Sequence, residues 1–136
     1  EFIEGSFGNK FNFPDDSFDL ILDVVSSMSL SEKERTKYVS ECLRVLKPGG
    51  HMFIKTLCKD GDKNAEYLIG HFPGKEKNTY IMPETGITER VFSKDDIESL
   101  YSEFNIQKLE RVHSYTFMQG KSYKRFFWNI YLSYKF

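Results

Sequence analysis

Cysteine, proline and tryptophan are scarce in this 136-residue chain, at two, four and one copies. Two thiols, Cys42 and Cys58, do not build a disulfide framework, so stability must come from a hydrophobic core, and a reducing, cytoplasmic setting is expected. An excess of one charge is missing too: 19 Lys and Arg stand against 20 Asp and Glu, interspersed, for a net charge of −1. No basic field for nucleic acid is therefore expected. No apolar run is long enough to span a bilayer, and no signal-peptide pattern opens the chain, so no membrane partner is expected. H-x-x-H, C-x-x-C and H-E-x-x-H spacings are lacking, which argues against a metal site. Asp60, Asp62 and Asn64 begin a calcium-loop pattern, but no glycine follows at its sixth position and no acid at its twelfth. No G-x-G step occurs, so no phosphate- or nucleotide-cradling loop is present. The chain opens Glu1-Phe2 without an initiator methionine, as a fragment or a cleaved product does.

What is present is best read from Phe11 to Thr56. Phe18 to Val25 is a short run rich in β-branched and aliphatic residues, a strand signal. Ser31 and Glu34 form a capping-box pattern, and Tyr38, Val39, Cys42, Leu43, Val45 and Leu46 then recur at helical spacing. Pro48 disfavours helix at Lys47, and Gly49-Gly50 permits a reversal. His51 to Thr56 is the returning strand. Two strands joined through a helix are expected to lie parallel with a right-handed crossover.

The strings PDDSFDLIL and SEKERTKYVSECLRVLKPGGHMFI resemble the second half of a class I S-adenosylmethionine-dependent methyltransferase. In that family an FD-plus-aliphatic strand, a helix ending L-(K/R)-P-G-G and a further strand follow in this order. The resemblance implies an α/β, Rossmann-like class I methyltransferase sheet, of which residues 1–136 are the C-terminal half, ending in an antiparallel strand pair. It implies S-adenosylmethionine as cofactor, and the family's sheet order 3-2-1-4-5-7-6 puts the Phe18–Val25 strand beside an absent first strand. The Gly-rich cofactor loop and the ribose-binding acid precede the part represented here.

The resemblance also points to site residues. Glu1 to Phe7 is expected to be a short strand and turn, with Ser6 where the family has an acid near the adenine and Phe7 either stacking on the purine or covering the sheet end. Asp23, closing an apolar strand, either meets the cofactor's ammonium or faces solvent. Ser26, Ser27 and Met28 occupy the carboxyl end of a central strand, where α/β folds place ligands, and either line the methyl-transfer pocket or fill the loop. The (Asp/Asn)-Pro-Pro-(Tyr/Phe) tetrapeptide of base-modifying relatives is missing there, which argues against nucleobase or protein glutamine acceptors.

Residues 57–91 read as an irregular insert over the strands' carboxyl ends, with a helix near Asn64 to Gly70. Long inserts at that edge shape substrate pockets, which makes His71, Tyr80, Glu84 and Glu89 candidate substrate or base residues. Ser93 and Asp96 repeat the capping logic ahead of Ile97, Leu100, Tyr101 and Phe104. Asn105 to Tyr115 alternates as a strand, Gln119 to Arg125 reads as a charged turn, and Phe126 to Phe136 as the last strand. The expected function is methyl transfer to an O or N nucleophile of a small molecule, with no catalytic residue nameable and this chain inactive by itself. The alternatives are a non-enzymatic interaction module or partner subunit, and another Rossmann-like enzyme. Expected partners are the missing N-terminal half or a second copy, through the exposed Phe18–Val25 edge.

Overall fold

The computed structural model of the chain describes residues 1–135. Strand β1 (Phe18–Val24) leads through a 3-10 turn at Ser27–Ser29 into helix α1 (Glu32–Val45) and strand β2 (Leu46–Leu57). Helix α2 (Lys63–His71), the short strands β3 (Thr79–Ile81) and β4 (Thr88–Arg90), helix α3 (Lys94–Leu100) and the long strands β5 (Phe104–Met118) and β6 (Lys121–Tyr134) follow. One sheet has the order β1-β2-β6-β5, with β1 and β2 parallel and the other pairings antiparallel; β3 and β4 form a separate hairpin. This is the expected parallel pair followed by an antiparallel pair.

Both expected capping boxes form. The Ser31 hydroxyl accepts from Glu34 N at the start of α1, and that of Ser93 from Asp96 N at the start of α3, each with the reciprocal carboxylate bond. The α1 stripe places Tyr38, Val39 and Cys42 in one core with Met52 and Ile54 of β2 and Ile130 and Leu132 of β6. Helix α1 ends at Val45, ahead of Pro48, and Leu46 already pairs with Phe18. The register then passes from Phe18↔Leu46 to Leu20↔His51, so the Lys47–Gly50 segment loops out of the ladder. Gly49 has φ +82°, and a Cβ on Gly50 would lie 2.8 Å from the Lys47 carbonyl, so this loop needs both glycines.

Four expectations are corrected. Glu1–Phe7 forms no strand: Phe2 and Ile3 are exposed, and none of the described strands pairs with this segment. The first strand stops at Val24, because Val25 turns to φ +52°. The last hairpin turn is only Gln119-Gly120, at φ +49° and +77°, the twist that suits a two-residue turn between twisted strands. Residues 121–125, read as a charged turn, belong to β6, whose expected end at Phe136 lies outside the described residues.

Candidate functional site

The carboxyl end of β1 is where the local chemistry is densest. Asp23 is buried, not solvent-facing, beneath α1. One carboxylate oxygen accepts from the Ser26 hydroxyl and the other from the Tyr38 phenol, both at 2.5 Å. Burial raises the Tyr38 phenol well above its usual range, so it stays a donor to Asp23. Val25 holds its left-handed conformation with its N–H bonded to the Lys55 carbonyl at 2.8 Å. A β-branched residue adopts that conformation at a cost, and such strain gathers where a fold must re-aim its chain at a site.

Arg35 shapes the turn that follows. Its guanidinium, buried within the fold, donates to the carbonyls of Ser27, Met28 and Leu30, closing the 3-10 turn from inside. Ser27 and Met28 are buried, and Ser26 is half-buried at the opening. Sequence reasoning passed over Arg35, although it lies on the stripe of Tyr38, Val39 and Cys42, where a cation must find internal acceptors.

The insert supplies the second cluster. In the β3–β4 hairpin Tyr80 is directly opposite Glu89, and its phenol donates to Glu89 Oε1 at 2.8 Å. Arg125 of β6 donates to the Tyr80 oxygen at 2.9 Å and to Asp62 Oδ2 at 3.1 Å. Asp62 also accepts from the N–H groups of Phe126 and Ala65, the latter as the N-cap of α2. Tyr80, Asp62 and Arg125 are interior, while Glu89 is half-buried. Burial opposes charge on Arg125, but Tyr80 and Asp62 outweigh it and hold the guanidinium above its ordinary value. Burial likewise pushes the Tyr80 phenol up. Arg125, expected in an exposed basic turn, is thus a structural cation.

β4 packs against the Ser27–Ser29 turn, which brings these two clusters together. The strand that carries Glu89 and the turn that carries Met28 are therefore neighbours. Two other candidates stand apart. His71 is exposed, stacks on Tyr67 at 4.0 Å and donates through Nδ1 to the Tyr67 carbonyl. Glu84 is exposed at the far end of the insert and accepts from Gln119 N in the β5–β6 turn. Of the cofactor candidates, Ser6 Oγ accepts from Gly8 N, and Phe7 leans edge-on against Tyr38 at 5.8 Å with ring surface still exposed.

Burial pushes both Cys42 and Cys58 thiols up to about 12, so neither supplies a thiolate nucleophile. Among the described residues no group of three His, Cys, Asp or Glu could hold a metal, and no helix is long and apolar enough to cross a membrane. A cleft of about 560 Å³ opens between α1, β4 and α3, walled by Glu32, Arg35, Arg90, Phe92 and Asp96. Arg90 pairs there with Glu32 and Asp96, and both arginines stack on Phe92.

Residues 1–54 match the family described as a methyltransferase domain. Among curated proteins none matches. In structure the chain is similar to a SAM-dependent methyltransferase from Methanosarcina mazei, at 22% identity and TM-score 0.78 over 96% of this chain. A Pyrococcus horikoshii protein follows at 21% identity and TM-score 0.72 over 99%. A third is a Burkholderia thailandensis 1,6-didemethyltoxoflavin-N1-methyltransferase, solved with 1,6-didemethyltoxoflavin and S-adenosylhomocysteine, at 13% identity and TM-score 0.67 over 98%. At these identities the likeness is one of fold. The chain spans 65%, 59% and 50% of those three proteins.

Proposed function

Because this chain carries the class I S-adenosylmethionine-dependent methyltransferase fold, and its first 54 residues match the methyltransferase-domain family, we propose that it is the acceptor-side half of such an enzyme. The acceptor is an oxygen or nitrogen nucleophile of a small molecule. The observation that carries this reading is the contact of strand β4, whose Glu89 accepts from Tyr80, with the Ser27–Ser29 turn that follows the carboxyl end of β1. That edge is where α/β sheets receive ligands.

The described residues do not by themselves make a holder for S-adenosylmethionine. Both Asp23 oxygens are engaged internally, Ser6 is engaged by its own turn, and no G-x-G loop offers backbone N–H groups. Phe7 alone of the three cofactor candidates keeps ring surface for stacking on a purine. The rest of the holder belongs to strands that would extend the sheet beyond β1. The bound sulfonium would supply the methyl group and the leaving group of an in-line displacement, so the protein's share is alignment and, for a protonated acceptor, a base.

In this reading Glu89 takes that proton. Its carboxylate is half-buried at the edge, and the Tyr80–Arg125–Asp62 chain fixes the group it leans on. Support for a small acceptor comes from the insert at this edge, and from a fold relative whose printed name is that of an N1-methyltransferase of a heterocycle.

The test uses the polypeptide encoded together with its upstream sequence, assayed for transfer of labelled methyl from S-adenosylmethionine to a panel of small O and N nucleophiles. Transfer is expected, with Glu89→Gln lowering it by ~10²–10⁴-fold at unchanged melting temperature. The 136-residue chain alone is expected to show no micromolar binding of the cofactor by calorimetry. Micromolar binding by this chain, or an upstream sequence without a strand followed by a G-x-G turn, would overturn the split-site reading.

A further inference from the structure

The β5–β6 hairpin outruns the rest of the sheet. Pairing of β2 with β6 stops at Leu57↔Phe127, whereas β5 and β6 stay paired to Met118↔Lys121. β5 is the outer strand, and completing the sheet beyond β1, on the opposite side, leaves it an edge. Its inner half is blunted by Lys108, Glu110, Arg111 and a register shift between Ile106 and Lys108. Its outer half, Val112 to Met118, has no Lys, Arg, Asp, Glu or Pro and no register shift. Tyr115 and Phe117 are 68% and 75% exposed there. None of the usual protections against edge pairing is present in this half.

Backbone geometry decides which groups are free. The two-residue turn Gln119-Gly120 closes on Met118↔Lys121, which in such a hairpin is the hydrogen-bonded kind of pair. Alternation then points the N–H and C=O of Thr116, Ser114 and Val112 toward β6. Those of Phe117, Tyr115 and His113 point outward, where the described residues offer no further strand.

We propose that this edge pairs antiparallel with the same edge of a second copy of the chain, about a two-fold axis at Tyr115. In that register Tyr115 meets Tyr115 of the other copy, and His113 meets Phe117, so the outward backbone groups pair with one another. On one face aromatic side chains lie opposite aromatic or imidazole rings. On the other, Ser114 lies opposite Thr116 and Val112 opposite Met118, combinations that favour cross-strand pairing. The nearest cations do not oppose it. Lys124 is across β6 from Tyr115, so the two copies' Lys124 residues are three strand spacings apart, about 14 Å, which exceeds the ~8 Å screening length at physiological salt. Arg111 meets the uncharged Gln119. The paired stretch is about 24 Å long at ~3.4 Å per residue, short of a standard-sized interface, so association is weak and concentration-dependent.

Amide hydrogen exchange of the full chain, followed from low-micromolar to near-millimolar concentration, tests this. His113, Tyr115 and Phe117 are expected to gain protection with concentration as the sedimenting mass rises from 16.0 kDa toward a dimer. Tyr115→Pro removes the outward N–H at the axis without touching the bonds to β6, and is expected to abolish that gain. If the variant fails to fold, the exchange map of the unmodified chain decides. Protection at these three amides that does not change with concentration overturns the proposal. So does a gain confined to β1, or a gain that persists in a folded Tyr115→Pro variant.

Discussion

Glu41 is a carboxylate with a structural task at a single point of α1. Its Oε1 accepts from Phe11 N at 2.7 Å, and both of its oxygens accept from Arg44. Arg44 in turn donates to the carbonyls of Phe11 and Phe13 and to Asp15, so the pair clamps the strand-free segment ahead of β1 onto the helix. The Arg44 bonds, with help from the Phe11 N–H, lower the Glu41 carboxyl from its ordinary 4.5 to about 2. The sign follows: a depressed carboxylate contributes stability fully above 4.5 and loses it as pH falls through about 2. Urea unfolding at neutral pH, pH 4 and pH 2.5 should show stability falling over that window. Glu41→Gln should be less stable at neutral pH and show a shallower fall. An identical pH dependence in the variant would mean that other groups set it. The same attention to single residues separates Cys42, packed and inert, from Tyr38 one turn earlier, whose hydroxyl reaches Asp23.

At the scale of elements, a buried ion pair ties the insert to β6. Arg125 and Asp62 are both interior, with side chains 4% and 0% exposed, and two elements meet on the Asp62 carboxylate: β6 through Arg125 and Phe126, and α2 through its first turn. A buried pair adds little over an apolar substitute, but removing one partner strands the other charge. Asp62→Asn can still cap α2, yet leaves Arg125 unmatched; a loss of ~3–5 kcal/mol is expected by urea unfolding. Asp62→Asn combined with Arg125→Met should recover part of that loss. If the single variant costs no more than an ordinary surface change, the pair is not what latches the insert. Because Tyr80 rests on Arg125 and Glu89 on Tyr80, the same latch positions the candidate base, and insert mobility should rise in step with loss of transfer.

The whole molecule has one covered and one open sheet face. Ile21 and Asp23 point under α1, while Leu20, Leu22 and Val24 on the other face are 56%, 65% and 58% exposed, next to a strand edge with no neighbour among the described residues. Leu22 pairs with Phe53, and Phe53 packs on Tyr131, so the open face continues across the sheet. We expect β1 to recruit cover from another segment or another chain, and the 136-residue chain to scatter light increasingly with concentration. Leu22→Lys, a charge on the open face, should reduce that scattering and leave the β5 exchange behaviour unchanged. A stable monomer with protected β1 amides would show that this edge is satisfied within the chain, against this reading.

Local physics was enough for the sequence to determine the strand–helix–strand unit, both capping boxes and the burial of Cys42, since periodicity and caps act within a few residues. It also sufficed for the antiparallel ending, through a resemblance carried by ordered motifs. Where charge meets burial it was not enough. Arg35, Asp62 and Arg125 look like surface residues in one dimension, and only the approach of distant carbonyls, amides and each other makes an interior place for them. Only the tertiary structure put the strand of Glu89 beside the Ser27–Ser29 turn, with His71 and Glu84 exposed. The reason is hairpin pairing, which selects partners by register across space and leaves no trace in spacing along the chain. The Glu1–Phe7 strand failed for a related reason: a strand is made by its neighbour, and none of the described strands pairs with it.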